Sequence, residues 1–143
     1  MNKKTYALKY AGVKQRYASC VVAGELLFCS GMTGRTIGTG EVSSDDVAGQ
    51  MVTALDRIKA TLEEAGSSME NIVKTTIYLK DIKDYQAMRN TEFEYYQNHC
   101  PSLVEEPPAS TVIQVVSLAR PKVLVEVDVV AALPNNISWR FNR

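Results

Sequence analysis

The chain has 143 residues, the size of one ordinary domain, and its 45% hydrophobic and 22% charged content excludes disorder as its main state. Sixteen Lys and Arg balance sixteen Asp and Glu, and this zero net charge excludes a strongly basic nucleic-acid binder or membrane-surface protein. No run approaches the roughly 20 apolar residues of a membrane-spanning helix, no secretory apolar run follows the basic start at residues 1–6, and Cys20, Cys29 and Cys100 have the spacing of neither a disulfide framework nor a zinc site. These features point to a reduced, cytoplasmic protein.

In chain order, residues 6–10 read as a first strand, and residues 19–22 and 26–30 form a hairpin about the turn Ala23-Gly24. Residues 31–40 hold four glycines and read as a loop; they lack the motifs of a phosphate cradle. Ser43 or Ser44 caps the next helix, with Asp45 and Asp46 in its first turn. Val47, Met51, Ala54, Leu55, Ile58, Leu62 and Ala65 make its apolar stripe, Gln50 falls off that stripe, and Gly66 ends the helix. Residues 72–80 alternate as a strand with Val73, Thr75, Ile77 and Leu79 on one face and Lys74, Thr76, Tyr78 and Lys80 on the other.

A second helix spans 84–99, with Tyr85, Met88, Tyr95 and Tyr96 toward one face, and Cys100-Pro101 ends it. After a proline-containing acidic loop, strands at 111–118 and 123–131 are joined by residues 119–122. The tail at 134–143 is irregular and carries Trp139 and Phe141. The order β-β-β-α-β-α-β-β predicts a single α+β domain over 1–143, with helices on one sheet face. The other face mixes Thr, Lys, Tyr and carboxylates with Val and Leu, which predicts a homo-oligomer.

Few residues offer chemistry. His99, the only histidine, adjoins Cys100 at a helix end, where it reads as a partner of the helix dipole. No convergent ligand set for a metal is legible. Glu126 and Asp128 share one face of the last strand, about 7 Å apart at its ordinary rise. Acidic residues are poor strand formers. The pair reads either as a solvated sheet face or as a carboxylate lining a pocket, poised to hold a water or accept a proton.

Several segments, in order, carry a resemblance. They are Arg16-Tyr17 with the run Val21-Val22-Ala23-Gly24-Glu25-Leu26-Leu27-Phe28-Cys29-Ser30-Gly31; Thr39-Gly40-Glu41-Val42; Leu62-Glu63-Glu64-Ala65-Gly66-Ser67-Ser68; Ile72-Val73-Lys74-Thr75-Thr76-Ile77-Tyr78-Leu79-Lys80-Asp81; Pro108-Ala109; Gln114-Val115; and Leu124-Val125-Glu126-Val127. From about Arg16 to Ala132 the chain resembles the RidA/YjgF family of small trimeric proteins. The resemblance implies a chorismate-mutase-like α+β fold whose sheets form a central barrel in a homotrimer, with sites in the clefts between subunits. It implies cofactor-independent hydrolysis of reactive enamines and imines to carbonyl compounds and ammonia, with a small molecule as the partner and neither nucleic acid nor membrane.

Carried over by position, the water-positioning glutamate is Glu126, the cleft tyrosine is Tyr17 and the Ser-Gly turn is Ser30-Gly31. The family's Pro-Ala-Arg-Ser/Thr run reads Pro108-Ala109-Ser110-Thr111, so Ser110 stands where the substrate-binding arginine is expected, beside Thr111. A serine cannot replace a paired guanidinium, and a lost charge-assisted bond costs roughly 1.5–3 kcal/mol. Arg89, where the family often has asparagine, is the first candidate for the missing cation; Arg35 and Arg16 are further candidates. The alternatives are a substrate without a neighbouring carboxylate, or a non-catalytic, metabolite-binding or regulatory trimer. Nucleic-acid cleavage is disfavoured by zero net charge, a single histidine and no basic stripe.

Overall fold

Apolar alternation in the last strand organises the molecule. In the computed structural model, which describes residues 3–134, β7 (Val125–Ala132) lies inside a mixed sheet and buries Val125, Val127, Val129 and Ala131 on one face. The sheet runs β1 (Lys3–Tyr10), β2 (Val13–Ala23), β3 (Leu26–Cys29), β7, β5 (Ile72–Leu79), β6 (Ala109–Gln114), and the two-residue β4 (Met32–Thr33) also pairs with β7. All pairs are antiparallel except β5 with β6, which a helical crossover makes parallel. β3 and β4 use successive stretches of one β7 edge, with Phe28 opposite Val130 and Met32 opposite Val127. One more residue lies between the pairings on the first side than on the second, so the chain bulges around Ser30-Gly31.

The helices α1 (Val47–Glu64), α2 (Tyr85–His99) and the single turn α3 (Ser102–Glu105) accompany this sheet, and the apolar core lies between them and its closed face. The α1 stripe is buried from Val47 to Leu62 as the spacing predicts. Its cap is Asp46 rather than Ser43 or Ser44: the Gly49 N–H donates to Asp46 Oδ1 at 2.7 Å, and Ser44 donates to the same oxygen. The helix closes on Gly66 at φ +87, where the Ser67 N–H reaches Leu62 O and the Gly66 N–H reaches Glu63 O.

Four other expectations change. The short α3 replaces part of the acidic loop. β6 covers 109–114 rather than 111–118, because β5 ends at Leu79, whose carbonyl takes the Val115 N–H as the last bond between the two; Val116 is fully exposed. A bulge between Ile72 and Lys74 buries Ile72 and turns Val73 out. Tyr85 is exposed, and Glu92 takes a buried place on its helix instead. Trp139 and Phe141 lie outside the described residues.

The other sheet face presents Leu26 and Phe28, both exposed, beside Val130, Thr76, Tyr78, Glu126 and Asp128, the mixed surface the sequence predicts. Among the described residues no helix is long and apolar enough to cross a membrane.

Gln50 is fully buried, contrary to its predicted place off the stripe. Its amide nitrogen donates to Ser44 O and Lys122 O, both at 2.9 Å, and its oxygen accepts from the Leu124 N–H at 2.8 Å. One side chain thus ties α1 to the segment entering β7. Leucine at this position would keep the volume and strand three backbone groups, so Gln50→Leu is expected to cost about 2–3 kcal/mol in urea unfolding. Wild-type stability would show that the tie is dispensable.

Candidate functional site

Glu126 is the second residue of β7, opposite Tyr78 on one side and Thr33 on the other. Its strand position points it to the open face, and the β3–β4 bulge folds over it. A Cβ on Gly31 would lie 2.5 Å from Glu126 Oε2, so only glycine leaves room for this carboxylate. Ser30 fixes the bulge from behind: its N–H donates to Ser19 O at 2.9 Å and its hydroxyl to Ala18 O at 2.6 Å. The Ser30 side chain is thereby engaged with β2, next to Tyr17, which is half-exposed.

Tyr17, Gly31, Thr33, Arg35, Arg120 and Glu126 line a small cleft of about 60 Å³. A molecule in liquid water occupies about 30 Å³, so one chain alone provides room for a water and a small reacting group. Of the expected Tyr17, Ser30, Gly31 and Glu126, all but Ser30 line this cleft together.

Behind the cleft wall lies a cation that the sequence did not reveal. Arg57 on α1 is 7% exposed. Its Nη2 donates to Tyr10 Oη at 2.6 Å, and its Nη1 donates to the carbonyls of Thr33 and Arg35 at 3.3 Å each, while its buried Nε has no partner. The guanidinium of Arg35 stacks over the Tyr10 ring at 3.7 Å, and its Nε donates to Gly40 O. Burial and the neighbouring Asp128 raise the Glu126 carboxyl above the ordinary glutamate range, and Arg57 opposes them. No hydrogen bond holds the carboxylate among the described residues. Asp128 is occupied, accepting from Tyr78 Oη at 2.9 Å.

Arg120 enters from the β6–β7 connection, which is pinned rather than loose. Val123 N–H donates to Arg120 O, Lys80 Nζ donates to Pro121 O, and Gln50 holds Lys122 and Leu124. Arg120, Arg57, Tyr10 and Thr33 are not marked as site residues by any motif in the sequence. The only available signals were a long helix with an arginine among its apolar positions and an arginine placed before a proline.

Arg89, Ser110 and Thr111 lie elsewhere within one chain. Arg89 Nη2 donates to Ser110 Oγ at 3.1 Å, its Nη1 pairs with Glu92 at 2.8 Å, and its Nε donates to Tyr85 Oη. Ser110 pairs with Thr75 and shares its helix-side face, whereas Thr111 pairs with Thr76 on the open face. The strand row through Glu126 and Tyr78 meets β6 at Ile113, three residues from Ser110.

No Cys-His couple forms at the end of α2. His99 is exposed and its ring lies 4.2 Å from that of Tyr95, while burial pushes the Cys100 thiol up to about 11. Such a thiol is inert at neutral pH. Among the described residues no cluster of three or more His, Cys, Asp or Glu could hold a metal.

The Glu126 carboxyl gives a stability signature. Its pKa is higher folded than unfolded, so ionisation costs stability: the cost is absent below about pH 4 and complete once pH passes the raised value. Glu126→Gln is therefore expected to melt above wild type near pH 8 (on the order of degrees) and with it below about pH 4. Equal melting at both would mean that the carboxylate pays no desolvation cost.

Comparison with known proteins shows which family the chain belongs to. The Endoribonuclease L-PSP family matches residues 9–133. A RutC family protein of Pyrococcus abyssi is 33% identical over 115 residues, covering 80% of this chain and 84% of that protein. The 2-iminobutanoate/2-iminopropanoate deaminase of Escherichia coli is 32% identical over 115 residues, covering 80% and 85%. The crystal structure of the YjgF gene product from Escherichia coli matches with a TM-score of 0.79 and 31% identity, covering 90% of this chain and 98% of that one. The chain belongs to the Endoribonuclease L-PSP family, the RidA/YjgF/RutC group, and has its α+β fold.

Proposed function

We propose that the protein hydrolyses reactive imines, and enamines after their conversion to imines, to carbonyl compounds and ammonia, in clefts completed by neighbouring copies of a homotrimer. The observation that carries this reading is the Glu126 carboxylate: half-buried, free of hydrogen bonds among the described residues, and framed by Gly31 and Tyr17 in a cleft. A carboxylate with a raised pKa is a better proton acceptor than an ordinary one. Water held by Glu126 attacks the carbon of a protonated imine and gives a proton to the carboxylate, leaving a neutral carbinolamine. Glu126 returns that proton to nitrogen. The carbon–nitrogen bond breaks as the carbonyl forms, and the hydroxyl proton leaves with ammonia as ammonium. No cofactor enters this balance.

Support for the trimer is the open sheet face, where Leu26 and Phe28 stand exposed beside Val130. Arg89, Ser110 and Thr111 lie at or beside the β6 edge, away from Glu126 in the same chain, and a neighbouring copy could carry that edge to the cleft as its outer wall. Ser110 takes the place of the family's arginine in this reading. Arg89 brings a guanidinium to it, although Glu92 already balances that charge.

The zero net charge and the lone histidine disfavour RNA cleavage. The non-catalytic reading, a trimer that binds a metabolite, draws on the uncharged Ser110.

An amino-acid oxidase can generate 2-iminobutanoate and related imines in place while keto-acid and ammonia release are followed. Wild type is expected to accelerate release, and Glu126→Gln to lower kcat by about 10²–10⁴-fold, with a sedimentation mass of three 15.8 kDa chains for both. An enzyme-free rate with wild type across the panel would overturn the hydrolase reading in favour of binding alone.

A further inference from the structure

The chain is neutral overall, but the Glu126 cleft is not. Arg35 and Arg120 line it and Arg57 underlies it, against the single carboxylate of Glu126. The described residues form two salt bridges, Lys59–Glu63 and Arg89–Glu92, and neither involves these three arginines. Among the described residues Arg57 is bonded only to neutral oxygens. The nearest further acid, Asp128, is engaged by Tyr78. An excess of guanidinium over carboxylate in a small concave site is the electrostatic pattern of an anion receptor.

The three arginines differ in what they can still do. Arg57 is buried, and its Nη donors are turned to the backbone of the cleft wall and to Tyr10, so it offers this cleft no free Nη donor. Arg35 is held by its stack on Tyr10 and its bond to Gly40 O. Arg120 is exposed and makes no hydrogen bond or ion pair from its side chain among the described residues. The segment that presents it is nevertheless fixed, by Gln50 on one side and Lys80 on the other, and Pro121 restricts the Arg120 backbone. A free guanidinium on a pinned loop beside a catalytic carboxylate is pre-organised to hold a planar anion through two parallel N–H···O bonds.

We infer that Arg120 binds the carboxylate of the substrate and selects 2-imino acids over uncharged imines. This rests on the hydrolase reading above, but moves the recognition of the anion. The cation comes from the β6–β7 connection of the chain that supplies Glu126, not from the β6 edge that carries Ser110. Arg89 is the competing cation, and its pairing with the buried Glu92 leaves it less charge to offer. With Glu126 and Arg120 on one wall, the imine carbon lies between them, the carboxylate toward the connection and the attacking water toward β7.

The test separates binding from turnover. The product analogue 2-oxobutanoate and the uncharged ketone 2-butanone are titrated into wild type, Arg120→Gln, Arg120→Lys and Arg89→Gln, and chemical-shift changes give Kd. Losing a charge-assisted pair is expected to weaken 2-oxobutanoate about ten- to a hundredfold in Arg120→Gln, with partial recovery in Arg120→Lys and no change for 2-butanone. In turnover, KM for 2-iminobutanoate is expected to rise by the same factor with kcat changed far less. Unaltered 2-oxobutanoate binding in Arg120→Gln, a loss that falls on Arg89→Gln instead, or equal loss of the keto acid and the ketone would each overturn the proposal. Failure of wild type to turn over any imine would overturn the hydrolase reading, while the titration still decides the role of Arg120.

Discussion

An ionisable group set between the buried valines of an apolar strand has to be accommodated by everything around it. Glu126 lies between Val125 and Val127, which are fully buried on the opposite face. Its own face is only half-covered, so the carboxylate is desolvated enough to lift its pKa without being sealed away. The surrounding features follow from that placement. The chain bulges between β3 and β4, a glycine stands where any Cβ would strike the carboxylate, and Ser30 ties the bulge back to β2. Below it, Arg57 supplies a positive field without forming an ion pair, which lowers the cost of the ionised state and leaves both carboxylate oxygens free among the described residues.

That arrangement costs stability. A buried guanidinium whose Nε has no partner, and a carboxylate without donors, among the described residues are both unfavourable when viewed as parts of a core. They are tolerated because the rest of the domain is regular: a continuous apolar stripe on α1, a properly closed helix end at Gly66, and a sheet whose buried face is almost wholly aliphatic. Gln50 links the two regimes. It is part of the core by burial and part of the site by effect, because it fixes the segment from which Arg120 projects.

The regular parts were legible in the sequence. The α1 stripe, the alternation of β7 and the positions of Tyr17, Gly31 and Glu126 could be read from spacing and from the family resemblance. What could not be read depends on three-dimensional exceptions to those patterns. Gln50 and Arg57 are polar residues buried on a helix, and periodicity assigns such residues to solvent. The bulge at Ile72–Lys74 reverses the facing of Val73, which strict alternation cannot anticipate. The end of β6 depends on where β5 stops, and Asp46 rather than a neighbouring serine caps α1 because its carboxylate reaches the Gly49 N–H. Arg120 was invisible for another reason: its relevance comes from a loop held by distant side chains, and the resemblance directs attention to Ser110 instead.

A crystal structure of the protein with 2-oxobutanoate bound would test the proposed mechanism most directly. The ligand is expected in the Glu126 cleft, with its carboxylate against Arg120, its carbonyl carbon beside the Glu126 carboxylate, and the β6 edge of a second copy closing the outer side. A ligand seated away from Glu126, or a Glu126 carboxylate turned from the bound carbonyl, would contradict it.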